Sequence, residues 1–162
     1  MSDAAAHLAV AARFRRWILT DAAQQRRDGV SAMVDRRVSA VDEAAGAVVV
    51  EFRVPARFAT FAGYVHGGII ATMLDEAASI AVFARVGPFC SKGTAQLAIQ
   101  YVRWVMPGPL VCRARVLDVR ERTVTAEAVL CGPDGAVWAK ADATMAIDFA
   151  RPVRPAPVTA PA

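Results

Sequence analysis

The stretch "GYVHGGIIATMLDEAAS", residues 63–79, sets a histidine and two glycines ahead of an apolar run that then carries two adjacent acids, Asp75 and Glu76. Ile70, Met73, Leu74, Ala77, Ala78, Ala81 and Val82 recur at i, i+3, i+4, i+7 and i+8, so the spacing predicts a helix over 67–84. The remaining positions are mostly small or apolar, and burial on most sides is expected. An ionised carboxylate in such surroundings is costly unless it is paired or hydrogen-bonded. Neighbours on a helix point about 100° apart, so at most one of the two acids is expected to be functional. Spacing alone leaves open that both lie at a solvated helix edge.

Upstream of this helix, Val10, Phe14, Trp17 and Ile18 recur at helical spacing while Arg13, Arg15 and Arg16 point elsewhere. An amphipathic helix over residues 4–27, with Gly29 as terminator, is expected to pack on the domain. Its arginines superficially suggest a mitochondrial transit peptide, but Asp3, Asp21 and Asp28 do not suit one. From Ala32 to Val54 the texture turns β-branched, with turn chemistry at Asp42 to Gly46, and Pro55 ends the pairing. Downstream come four strand-like segments, "TAQLAIQYVRWV", "LVCRARVLDVR", "TVTAEAVLCG" and "AVWAKADATMAID", with a hairpin turn at Pro133, Asp134 and Gly135. The order is helix, two strands, buried helix, four strands, without the βα alternation of a parallel doubly wound sheet. It reads as an α+β architecture, an antiparallel sheet curled around one helix. Residues 1–30 form the N-terminal helical segment, 31–149 the domain, and the Pro/Ala-rich 150–162 a disordered tail.

At 162 residues one domain is expected, and at that size about 70% of the unfolded surface can be buried without a disulfide or metal. The apolar content of 56% is broken too often for the roughly 18–20 residues of a membrane span, so a soluble, cytoplasmic protein is expected. Surplus apolar surface in a small domain points to a subunit interface, hence a homodimer or homotetramer. Cys90, Cys112 and Cys131 lack CxxC spacing and read as small buried hydrophobes. The net charge of +4 comes from scattered basic residues, not a stripe, so no nucleic acid partner is expected, while a phosphate-bearing ligand such as coenzyme A is compatible.

At the predicted helix start, Gly67 and Gly68 leave backbone N–H groups bare at the positive end of the helix dipole. A substrate carbonyl could approach such an amide as an oxyanion does its hole. Asp75 lies eight residues beyond Gly67, about 12 Å along a helix rising ~1.5 Å per residue. Both cannot touch one carbonyl in a single chain, whereas a site shared between subunits could use both. His66 is open to three roles: base, substrate hydrogen-bond donor, or helix cap. No GxSxG elbow, Walker loop or GxGxxG fingerprint is present, and His7 and His66 are the only imidazoles, so no metal site or cofactor is expected.

The string "VHGGIIATMLDEA", followed by "TAQLAIQYVRWVMPG", resembles the hotdog-fold thioesterase superfamily, in particular the branch of the phenylacetate-pathway thioesterase and the human acyl-CoA hydrolases. The resemblance covers residues 35–148 and joins an HGG turn, an acid nine positions after the histidine, and a T-x-x-L-x-I-x-Y strand. It implies a hydrolase of acyl-CoA or acyl-carrier-protein thioesters. Asp75 would be general base or nucleophile, the Gly67 amide would polarise the carbonyl, and Thr94 would orient the water. His66 would support the loop or the substrate carbonyl, and Gly68 and Thr60 would line the substrate site. Glu76 stays structural in this reading. The chain departs from the pattern at Thr60, near a common asparagine position, and at Trp104, where the strand often ends Tyr-x-Arg-Pro. Two alternatives stay open: a non-catalytic acyl-CoA binding or sensing domain, and a hotdog enzyme acting on a biosynthetic thioester intermediate.

Overall fold

The computed structural model describes residues 3–20, 29–42, 45–88 and 90–150. The expected disordered tail, apart from Ala150, and residues 21–27 of the expected N-terminal helix lie outside these residues. Helix α1 runs Asp3–Ile18 and ends well short of residue 27. Thr20 and Asp21 follow, residue types that compete with helical backbone bonding. A single helical turn α2, Val30–Met33, precedes strand β1, Arg37–Asp42, where β texture alone was expected from Ala32. One turn is too short to register as a period. Strand β2, Ala47–Val54, stops at Pro55, and a 3₁₀ turn at Ala56–Phe58 leads toward the long helix α3, Gly67–Val86. Strands β3 (Ser91–Tyr101), β4 (Gly108–Val119), β5 (Thr123–Cys131) and β6 (Val137–Ile147) complete the chain.

The six strands form one antiparallel sheet in the order β1-β2-β4-β5-β6-β3. Alternation along each strand sorts side chains to two faces. Val48, Val50, Phe52 and Val54 of β2, Cys112 and Ala114 of β4, and Ala126, Ala128 and Leu130 of β5 are all buried. On α3, Ile70, Met73, Leu74, Ala77, Ala78, Ala81 and Val82 are buried with them in one core. Alanines stand on both sides of this contact, Ala77, Ala78 and Ala81 on the helix and Ala139, Ala141 and Ala143 on β6. Their small side chains let the sheet close around the helix. This is the hotdog arrangement that the resemblance implied.

The other flank of α3 is covered by α1. Phe14 meets Phe83 edge to face with centroids 5.8 Å apart, Ala11 and Ile18 are buried, and the Arg15 guanidinium donates to the Ala84 carbonyl at 2.7 Å. All three cysteines are buried free thiols, and burial pushes the Cys112 thiol up. Among the described residues no helix is long and apolar enough to cross a membrane.

Candidate active site

The loop before α3 is a small closed turn that delivers the backbone to the helix in a fixed direction. Ala59 and Val65 form an antiparallel bridge, Thr60 N–H donates to Tyr64 O at 2.6 Å, and His66 N–H donates to Phe58 O at 2.9 Å. Gly63 sits at φ 85°, a left-handed conformation that glycine adopts without strain, and its N–H bonds Thr60 O at 2.9 Å. Thr60 thus shapes the turn through its backbone. Its hydroxyl bonds no described residue.

A helix begins with four N–H groups that lack intrahelical acceptors. Here His66 is the N-cap, and its Nδ1 accepts from the Gly68 N–H at 3.0 Å, which puts the proton of the neutral ring on Nε2. His66 O takes the Ile69 N–H at 2.9 Å and the Ile70 N–H at 3.2 Å. The Gly67 N–H has no acceptor among the described residues. The two glycines also differ in what a side chain would meet. A Cβ on Gly68 would come within 3.1 Å of the capping Nδ1, whereas one on Gly67 would rest against the Tyr101 hydroxyl at an ordinary 3.4 Å. Gly68 accommodates the cap, and Gly67 leaves its amide open.

Two turns further on, half-buried Asp75 accepts a hydrogen bond from the Thr94 hydroxyl, Oγ1 to Oδ1 2.6 Å. Thr94 lies on β3, an edge strand that pairs only with β6 among the described residues. The β3 register shifts on both sides of Thr94, between Ser91 and Gly93 and between Thr94 and Gln96, and Gly93 adopts φ 109°. Such irregularities bend an edge strand and re-aim its side chains. From Lys92 to Gln96 every residue is exposed in the single chain.

Glu76 points the other way. Its Oε1 accepts from the Ser31 hydroxyl, and its Oε2 lies 3.9 Å from Arg36 Nε, with the two side chains 21% and 10% exposed. Burial draws the Arg36 guanidinium below its ordinary value, and Glu76 draws it back. Removing one member of a buried pair leaves the other charge uncompensated. Glu76→Ala is expected to cost about 2–3 kcal/mol, hence about 5–10 °C in Tm for a domain of this size. Glu76→Gln, which keeps an acceptor for Ser31, should cost less. Thermal denaturation checks both, and equal melting of Glu76→Ala and the wild type would show that the pair does not hold the domain.

The structure therefore brings Asp75 to Thr94, and His66 to Gly68 beside the open Gly67 amide. The two groups remain eight residues apart on one helix, about 12 Å along its axis. Three aromatic residues lie about the helix start, Trp104, which the sequence marked as a departure at the acyl pocket or its mouth, and Tyr64 and Tyr101, which it did not single out for this site. The Tyr101 hydroxyl donates to Gly67 O at 3.2 Å, and Trp104 stacks on Tyr64. Among the described residues no group of three or more His, Cys, Asp or Glu could hold a metal ion.

Residues 62–139 match the family model described as thioesterase superfamily. That stretch holds the HGG turn, Asp75, Thr94 and Tyr101 together. Among solved structures, a phenylacetic acid degradation-related protein of Ralstonia eutropha JMP134 is similar at 26% identity and TM-score 0.70, over 83% of this chain and 98% of that one. The PaaI protein of E. coli, from the phenylacetic acid degradation operon, shares the fold at TM-score 0.70 and 16% identity, over 85% and 95%. SMU.793 of Streptococcus mutans UA159, solved bound to acetyl-CoA, shares it at TM-score 0.61 and 22% identity, over 68% and 86%. No curated protein matches the chain significantly.

Proposed function

We propose that this thioesterase-superfamily protein hydrolyses an acyl thioester of coenzyme A or an acyl carrier protein, working as a homodimer or homotetramer. The observation that carries the reading is the pairing of an unsatisfied helix-start amide, Gly67, with a carboxylate, Asp75, held by a hydroxyl on an open edge strand. Asp75 takes a proton from water as the oxygen attacks the thioester carbonyl, or attacks that carbon itself. Thr94 keeps the carboxylate aimed. Negative charge on the carbonyl oxygen is met by the Gly67 N–H at the positive end of α3. The carbon–sulfur bond then breaks: on the general-base route the proton held by Asp75 goes to the departing thiolate, and on the nucleophilic route water protonates the thiolate and its hydroxide hydrolyses the acyl–aspartate anhydride to the free acid, which restores the carboxylate. A thiol with a pKa near ~8.5 leaves without a strong general acid, which suits a site with so few groups.

Two groups about 12 Å apart on one helix cannot serve the same carbonyl. A second copy resolves this if β3 pairs edge to edge with β3 of its partner, bringing Asp75 and Thr94 of one chain to the Gly67 amide of the other. The fully exposed run 92–96 on an 11-residue strand supports this, since a long bare edge is a template for pairing. Acetyl-CoA bound to the S. mutans structure of the same fold supports coenzyme A as the thiol carrier.

A free-thiol release assay over short, medium, long and aromatic acyl-CoAs is expected to show turnover of at least one class. Sedimentation is expected to show a dimer or larger. Tight acyl-CoA binding without any thiol release would instead make this a binding domain, and an active monomer would sink the shared site.

A further inference from the structure

The segment after β3 is tied to the helix start at three places. The indole of Trp104 stacks on the Tyr64 ring with centroids 4.6 Å apart and planes at 18°. The next carbonyl, Val105 O, accepts from the Val65 N–H at 2.8 Å. Just before, the Tyr101 hydroxyl donates to Gly67 O at 3.2 Å. The segment is itself anchored to β6, because the Val102 and Arg103 N–H groups both donate to Trp138 O, at 2.9 and 3.0 Å. Trp138 in turn lies over Gly132, where a Cβ would come within 2.2 Å of its ring. A continuous line of contacts thus runs from the β5–β6 hairpin through residues 101–105 to Gly67.

Consecutive glycines leave an amide bare but also give the backbone its widest conformational freedom. An amide that must face a developing oxyanion needs that freedom removed from outside, since small misplacements of a reacting group are costly. We infer that Tyr101 and Trp104 are positioning residues for the helix start that carries the Gly67 N–H, Tyr101 by bonding the Gly67 carbonyl, in the peptide plane that follows that N–H, and Trp104 by stacking on the ring of Tyr64, whose backbone leads into the helix. The inference rests on the hydrolase reading above. The rival role of Trp104 is direct substrate contact, because it is 72% exposed and borders a groove of about 670 Å³ with Arg103 and Trp138.

The test uses the full chain and its Tyr101→Phe, Trp104→Ala and Trp104→Phe variants. Tyr101→Phe removes one hydroxyl, and Trp104→Phe keeps an aromatic ring against Tyr64. Expected is a fall in kcat of about five- to ten-fold for Tyr101→Phe and Trp104→Ala with KM within about two-fold, and recovery in Trp104→Phe. The Gly67 amide resonance in ¹⁵N-edited spectra of the unliganded protein should move in the first two variants and return in the third. A raised KM at unchanged kcat makes these residues substrate contacts and overturns the inference. An unmoved Gly67 resonance overturns it too, whatever the kinetics. If the wild type proves inactive on every thioester, the hydrolase reading fails, and the resonance still decides whether Tyr101 and Trp104 set the amide.

Discussion

Asp75→Asn should lower thiol release from acyl-CoA by about 10²–10⁴-fold, the range that a positioned general base contributes. The substitution is nearly isosteric, and its amide oxygen can still accept from the Thr94 hydroxyl, so the strand and helix contact survives. What disappears is the negative charge and the basicity. Single-turnover assays with the best acyl-CoA, beside melting and sedimentation of the same preparation, separate lost chemistry from lost structure. Wild-type rates in Asp75→Asn would remove the carboxylate from the mechanism. Thr94→Val tests the partner and should have a smaller effect, since the carboxylate remains and loses only its aim.

Gly67→Pro should lower kcat by about 10²–10³-fold while leaving helix α3 in place. Proline lacks the N–H, and the loss matches that of deleting one oxyanion donor. Few backbone donors can be deleted this way, but the first helical position tolerates proline, whose φ suits the helix. The residue before it must be extended, and His66 already sits at φ −58° and ψ 136°. A Cβ at this position would make only an ordinary contact with Tyr101. Gly67→Ala is the comparison, since it adds a side chain and keeps the donor. The readout is kcat for both variants with circular dichroism as the check on helix content. Loss in alanine equal to that in proline would attribute the effect to bulk, and activity in proline would rule out the Gly67 amide as the donor.

The elements with a repeating pattern were the ones legible in the sequence. The stripe from Ile70 to Val82 placed α3 to within two residues of its observed C-terminal end at Val86. Glycine and proline punctuation separated the strands, and the hairpin turn forms where Asp134 accepts from the Ala136 N–H at 3.0 Å and Gly135 takes φ 75°. Segments without a period were misread. Val30–Met33 is one helical turn amid strand-like residues, and α1 stops at Ile18, the last of its periodic apolar residues, although the expected helix ran on past it. At the site, the HGG turn and the distant acid were visible because they are a local string. The Thr94 hydroxyl meets Asp75 across 19 positions of sequence and two elements, through a strand bent on both sides of it, and spacing does not encode that contact. Nor does it encode the Tyr64 and Trp104 stack, which depends on two loops lying side by side.

Helix α3 is answered at both ends by side chains that are not part of it. At its start the His66 ring takes the Gly68 amide, and near its end Arg15 reaches the Ala84 carbonyl from α1 while the Gly87 N–H closes on Phe83 O at 2.9 Å. Arg15 lies far upstream of the matched residues 62–139. The leading helix is therefore a stopper for the central one, satisfying a polar group that packing would otherwise strand. Removing α1 alone is expected to fray α3 from the end opposite the chemistry, a loss of helix content that circular dichroism of a chain begun at residue 29 would register.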